Sequence, residues 1–336
     1  MRRITQRPLG MRMGTFSIVA ADPAKGQVGV AVQSKYFAVG AVVPWARAGV
    51  GAVATQSNAY TGYGPSILEA LARGERPQAA IDAALVNDKQ AVQRQLGVVH
   101  ADGEAASFTG KECTEWAGSR TGPNYAVQGN ICAGEKVVEG MERAFKATSG
   151  SLAERMLAAL EAAQAAGGDK RGQQSAVLIV EQSGWKDTGG EGVDRLVDLR
   201  VDDHAEPIKE LRRLLDLWKI EAANNIAMEH YGKQEYAEAV AVLQQSNARA
   251  PGDARTLYNL ACFESLAGMP TESLAHLKQS IARDASFREM AKGDGDFANV
   301  RSLPAFEKLL PARPAVKKAA HTKSKPAVRK KASRRK

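Results

Sequence analysis

The stretch TFSIVAADPAKGQVGVAVQ, residues 15–33, decides the fold of the N-terminal part of this chain. Its two short apolar runs, Thr15–Ala21 and Gln27–Gln33, are rich in β-branched and small residues and predict two strands. The intervening Asp22–Gly26 predicts a tight turn, because proline fixes φ and glycine accepts a positive φ. The stretch therefore predicts a strand pair that begins at Thr15.

Strands and helices follow this pair in blocks, without strict alternation. Such blocks argue against a doubly wound parallel sheet. They predict an α+β domain in which two antiparallel sheets lie face to face with helices outside. The further predicted elements are strands at Val39–Trp45, Gly49–Thr55, Gln95–His100, Ala105–Phe108, Tyr125–Asn130, Ser175–Glu181 and Asp194–Val201, and helices at Gly64–Arg73, Gln78–Asn87, Glu135–Ala147, Ser151–Ala166 and Glu206–Trp218.

Composition narrows the class of protein. The 336 residues suggest two domains, and 44% hydrophobic residues are enough for a core. No apolar run approaches the roughly 18 residues of a membrane span. The three cysteines are odd in number and widely spaced, which predicts neither disulfides nor zinc and favours a cytoplasmic protein.

Residues 220–312 are predicted to be helical and repetitive. The blocks AEAVAVLQQSNARAP and TESLAHLKQSIARDA lie 34 residues apart, as do Ala227 and Ala261. This period favours tetratricopeptide-like repeats over a plain pair of helical hairpins. Such repeats offer a groove for a protein partner, although they could equally be a packing extension of the first domain.

The net charge of +9 comes from the C-terminal tail. Residues 313–336 contain eleven Lys and Arg and no Asp or Glu, so the rest of the chain is nearly neutral. This composition predicts a disordered tail. It would contact nucleic-acid phosphates without reading sequence, or serve only as a solubilising appendage.

Familiar catalytic signatures are missing from the sequence. It has no GxSxG, HExxH or GxxxxGK[ST] pattern, and its five histidines are scattered. We therefore expect no metal and no cofactor.

A nucleophile that uses the chain's own α-amino group needs no histidine. A free amine has a pKa of about 8 and can accept the hydroxyl proton of an N-terminal threonine. Thr15 begins a strand, as such a residue must, and the basic leader, residues 1–14, would have to be removed. Lys35 follows the second strand and is the expected neighbouring cation that lowers the pKa of the amine.

Several segments carry a family resemblance. TFSIVAADPAKGQVGVAVQSKYFAVGAVVPWARAGVGAVATQSNAYTGYGP, FTGKECTEWAGSRTG, YAVQGNICAG, GGDKRGQQSAVLIV and VDLRVDDHAEPIKELRRLL, read in order, resemble the family catalogued as domain of unknown function 1028. The resemblance covers about residues 15–217. It implies membership of the N-terminal nucleophile (Ntn) hydrolase superfamily, a four-layer αββα sandwich over residues 15–219, and Thr15 in the nucleophile position. Members of this family commonly start Met-Thr-Phe-Ser, whereas here Gly14 precedes the threonine.

Other polar residues stand at predicted strand ends or turns near this position. We expect Asn58 and Asn130 to stabilise an oxyanion. The expected substrate-binding residues are Ser34, Gln56, Gln128, Asp169 and Arg171. Each also has an ordinary structural explanation, namely a solvated strand end, a loop cap or a salt-bridged turn.

Two functions remain open at this point. The first is an Ntn-type amidohydrolase that acts on a small amide or peptide-like substrate. The second is a non-catalytic protein that binds a metabolite and docks a protein partner through its repeats. Either could form a homo-oligomer.

Overall fold

The structure, a computed structural model, describes residues 14–114, 116–189 and 192–310. The leader up to residue 13 and the basic tail from residue 311 lie outside the described residues. The chain divides into two compact units, with the division between Trp218 and Lys219. None of the described helices is long and apolar enough to cross a membrane.

Two antiparallel sheets form the first unit. One has the strand order β10-β9-β2-β1-β8-β7 and the other the order β3-β4-β5-β6. The strands are β1 Thr15–Asp22, β2 Gln27–Ser34, β3 Pro44–Arg47, β4 Gly51–Ser57, β5 Arg94–His100, β6 Ala105–Thr109, β7 Gly118–Gly122, β8 Tyr125–Asn130, β9 Ser175–Gln182 and β10 Arg195–Val201.

The helices of this unit lie outside the two sheets. They are α1 Tyr63–Ala72, α2 Pro77–Leu85, α3 Lys136–Ala147, α4 Leu152–Ala165, the short α5 Trp185–Thr188, and α6 Pro207–Gly232, which begins here and continues into the second unit. The predicted α+β class with face-to-face antiparallel sheets is confirmed.

Alternation along the strands produces three apolar layers. Phe16 and Ile18 of β1 face α3, α4 and the first part of α6. Val19, two residues from neither of these but on the opposite face, packs between the sheets with Ala52 of β4. The outer face of the second sheet, including Val53, packs on α1 and α2. Successive residues of a strand point to opposite faces, so β1 contributes to two layers at once.

Three predicted elements differ from the structure. Residues Val39–Ala41 form one 3₁₀ turn and only Pro44–Arg47 is extended, because Ala38 has φ of 51° and breaks the strand. The edge strand Gly118–Gly122 was not predicted, since its sequence GSRTG contains no apolar residue. The helix predicted to end at Trp218 runs on to Gly232.

Helix pairs build the second unit. Its further helices are α7 Tyr236–Arg249, α8 Ala254–Leu266, α9 Pro270–Arg283, α10 Ser286–Gly293 and α11 Pro304–Leu309. Both ends of α7 recur 34 residues later as the ends of α9. Ala227 and Ala261 are fully buried in one shared core, as the period requires of packing positions. Assignment of these helices to the tetratricopeptide class stays a prediction.

A buried ion pair fastens α2 to the second sheet. Nε of Arg94 lies 2.7 Å from Oδ2 of Asp88, and the hydroxyl of Tyr63 donates to the same carboxylate. These hydrogen bonds, that of Arg94 foremost, lower the pKa of the Asp88 carboxyl to about 2. The carboxylate therefore stabilises the folded state wherever it is charged.

We predict that Asp88→Asn destabilises the protein in a pH-dependent way. A carboxyl whose folded pKa lies below its unfolded value of about 3.9 contributes stability above that value and loses it as the pH falls towards the folded pKa. The variant should lose about 2 kcal/mol of unfolding free energy at pH 7, and the deficit should shrink below about pH 4. Urea titrations from pH 7 to pH 3 measure it, with the exposed Asp82→Asn on the same helix as control. A deficit independent of pH would contradict the assignment.

Candidate functional site

The space between the two sheets is apolar over most of its length and polar at one end. Cross-strand partners in β8, β1, β2 and β9 form rows, and their side chains share the face that looks towards the second sheet. From the polar end inward, the rows are Asn130-Thr15-Ser34-Ser175, Gln128-Ser17-Val32-Val177 and Ala126-Val19-Val30-Ile179. The start of β1 therefore places Thr15 in the centre of the outermost polar row.

The Gly14–Thr15 peptide lies within a chain of short hydrogen bonds. Oγ of Ser34 donates to the carbonyl oxygen of Gly14 at 2.5 Å. Oγ1 of Thr15 donates to Oγ of Ser34 at 3.1 Å. Because a carbonyl can only accept, the one proton of Ser34 is used there and the Thr15 hydroxyl must be the donor to Ser34. Thr15 and Ser34 have no exposed surface.

Arg171 is the second donor to the Gly14 carbonyl. Its Nη2 lies 2.8 Å from that oxygen and 2.8 Å from Oδ2 of Asp169. Asp169 also accepts from the backbone N–H groups of Arg171 and Lys35. Its turn is held beside the end of β8 by a bridge to Cys132. The carboxylate thus aims the guanidinium at the junction.

Side-chain amides fill the second polar row and cross between the sheets. Ser17 donates to Oε1 of Gln56 at 2.6 Å, and Nε2 of Gln128 donates to Ser17 at 2.6 Å. Nε2 of Gln56 and Nδ2 of Asn130 both donate to Oε1 of Gln95, at 2.8 and 2.9 Å. Nε2 of Gln56 also reaches the Thr15 carbonyl at 3.4 Å. This network joins the nucleophile's strand to the second sheet.

Two acceptors of this network have no protein partner among the described residues. They are Oδ1 of Asn130 and Oε1 of Gln128, both fully buried. A buried polar atom without a partner costs about 1–3 kcal/mol, so such atoms are rare unless a site needs them. Asn130 is the register partner of Thr15, which puts an available acceptor next to the threonine.

The comparisons with known proteins agree with this fold. The model described as "Family of unknown function (DUF1028)" matches residues 15–211. This chain belongs to the DUF1028 family. Its sequence is 33% identical to protein SPO2555 from Silicibacter pomeroyi, whose crystal structure carries the same family label; the match covers 60% of this chain and 88% of that one, with a TM-score of 0.54. No curated protein matches the sequence.

Two residues that the sequence placed at the site of this DUF1028 protein have their side-chain contacts elsewhere. The ammonium of Lys35 donates to the carbonyl of Gln173 at 3.1 Å and is exposed. Ser34 and Lys35 are consecutive, and Ser34 lies on the face of Thr15, so Lys35 points away from it. The Asn58 amide donates to Gln90 and Gln93. The cation in contact with the junction is Arg171, not Lys35.

The remaining predicted residues lie together. Ser34, Gln56, Gln128, Asn130, Asp169 and Arg171 all belong to the hydrogen-bonded groups around Thr15. Sequence reasoning missed Ser17 and Gln95. Ser17 follows Thr15 by two residues and shares its face, so alternation alone identifies it. Gln95 lies on the other sheet, and only the packing of the sheets reveals its role.

Cys132 is not a second nucleophile of this site. Its thiol lies 4.0 Å from the Thr15 carbonyl. Burial, assisted by the negative charge of Asp169, raises the pKa of Cys132 to about 12. The thiol therefore stays protonated at neutral pH and lacks the reactivity of a thiolate.

We predict that Gly97→Ala disrupts the amide network. A Cβ at Gly97 would lie 2.2 Å from Oε1 of Gln128, which crosses to this strand from the other sheet. Overpacking of this kind costs about 1–3 kcal/mol of unfolding free energy. Thermal and urea unfolding measure the loss. Gly134→Ala is the matched control, because nothing lies within 4 Å of its Cβ position; equal losses in both variants would contradict the close approach.

Proposed function

We propose that this protein is an Ntn-type amide hydrolase whose nucleophile, Thr15, is released by cleavage of the Gly14–Thr15 bond. The observation that carries the proposal is the hydrogen-bonded chain from the Thr15 hydroxyl through Ser34 to the Gly14 carbonyl. Thr15 and its own upstream carbonyl are thus joined by a ready path for a proton.

Self-cleavage along this path balances without an external base. Oγ1 of Thr15 bonds to the Gly14 carbonyl carbon, its proton passes to Ser34, and the Ser34 proton passes to the carbonyl oxygen. The Arg171 guanidinium stabilises the charge that develops on that oxygen. The tetrahedral intermediate then breaks its C–N bond as the hydroxyl proton returns to nitrogen, which leaves an ester and a free amine. Water hydrolyses the ester, giving a leader with a Gly14 carboxylate and a chain that begins at Thr15.

The released chain would use the same groups on external amides. The Thr15 amine is then the base for its own hydroxyl. Departure of Gly14 leaves Ser34 and Arg171 facing the position of a carbonyl oxygen, where they would bind the substrate carbonyl. Gln56 would hold the Thr15 backbone through its carbonyl, and Oδ1 of Asn130 would accept from the amine or the leaving nitrogen. These roles replace those first assigned to Lys35 and Asn58.

Intact-mass measurement of the purified protein tests the cleavage. We expect the wild type to lose residues 1–14, Thr15→Ala to retain them, and Thr15→Ser to be processed. Ser34→Ala removes the relay and one oxyanion donor and should slow processing about 10²-fold or more. Ser66→Ala, an exposed serine on α1, is the control and should process at the wild-type rate.

Retention of the leader by the folded wild type would overturn the proposal. The amine would then be blocked, and Thr15 would have no base. The alternative, a metabolite-binding scaffold whose helical repeats dock a partner, would be the remaining function.

A cytoplasmic location accompanies this proposal. The described cysteines, Cys113, Cys132 and Cys262, are all unpaired, as in proteins of reducing compartments. The substrate is then a small amide or peptide of the cytoplasm, and no cofactor is required by the chemistry described.

A further inference from the structure

The surroundings of the Gly14 α-carbon indicate which acyl groups the site accepts. An ideal Cβ built on Gly14 would lie 2.8 Å from Nη2 of Arg171 and 2.8 Å from both carboxylate oxygens of Asp169. A carbon atom cannot approach polar atoms so closely without displacing them. For an oxygen atom, 2.8 Å is an ordinary hydrogen-bond distance. The position is therefore closed to a methyl group and suited to a small polar one.

A hydroxyl group fits this position better than an amine. Asp169 has no exposed side-chain surface and presents both oxygens as acceptors, so a hydroxyl can donate to it. An ammonium would lie equally close to the guanidinium of Arg171, and two cations at that distance repel each other. The two protons of Nη2 already point to Asp169 and the Gly14 carbonyl, so Asp169 is the partner of the hydroxyl.

The geometry also sets the handedness of the acyl group. The position belongs to the Cβ of an L-residue. A hydroxyl placed there, with an alkyl group following the path of the Gly14 nitrogen, gives the R configuration at the 2-carbon. An unsubstituted glycoloyl group satisfies the same contacts without a stereocentre.

We propose that the substrates are amides of 2-hydroxy acids, either glycoloyl amides or amides of (R)-2-hydroxy acids. This inference rests on the proposed hydrolase function, with the acyl group occupying the place that Gly14 leaves. The carbonyl would bind Ser34 and Arg171, and the 2-hydroxyl would donate to Asp169. Thr15 would attack the carbonyl carbon, the amine would leave with the threonine proton, and water would release the 2-hydroxy acid.

A panel of 4-nitroanilides tests the inference on protein shown by mass to begin at Thr15. The acyl groups are glycoloyl, acetyl, glycyl, (R)-lactoyl and (S)-lactoyl, and Thr15→Ala protein serves as the blank. We expect kcat/KM to be at least about tenfold higher for glycoloyl than for acetyl or glycyl, the effect of one hydrogen bond to a charged group. (R)-lactoyl should exceed (S)-lactoyl by a similar factor.

The outcomes separate this inference from the function it rests on. Hydrolysis of acetyl and glycoloyl anilides at equal rates would overturn the substrate class and leave the hydrolase standing. Failure to hydrolyse any of the five would overturn both. Asp169→Asn, once its folding and processing are verified, should bring the glycoloyl-to-acetyl ratio close to one. If that variant does not fold, the wild-type ratios alone decide.

Discussion

The register of β1 between β2 and β8 is the constraint on which the site depends. Thr15 pairs with Ser34 on one side and with Asn130 on the other, so all three side chains lie on one face. A slip of one residue would turn Thr15 towards the helices and bring Phe16 between the sheets. The apolar alternation further along β1 therefore fixes the position of the polar end, because Val19 must face the second sheet.

The sequence predicts much of this arrangement because local chemistry determines it. The turn at Asp22–Gly26 and the apolar alternation identify the hairpin, and the hairpin brings Ser34 to Thr15. Lys35 was misassigned because closeness in sequence was taken for closeness in space, although neighbours in a strand face opposite sides. The role of Gln95 depends on how one sheet packs on the other, which no local pattern in β5 encodes.

The polar end of the sandwich is a departure from the packing of the rest. Ser17, Gln56, Gln95 and Gln128 occupy positions that continue the rows of valine and alanine, and two of the site's acceptors remain without a protein partner. Each such atom opposes folding, while the apolar rows behind it supply the burial that holds the sheets together. A local conflict confined to one end of an otherwise consistent core is typical of a functional site.

Gly14 links the chemistry of self-cleavage to that of turnover in the proposed function. A residue before Thr15 must present its carbonyl to Ser34 and Arg171, yet any Cβ there would collide with Asp169. Glycine meets both demands and leaves the Asp169 carboxylate without a partner from the leader's side chain. The severed leader then keeps the site only through its carbonyl group, whereas a substrate that also donates to Asp169 gains a charged hydrogen bond. The same carboxylate that requires glycine in the precursor thus favours exchange of the leader for a substrate.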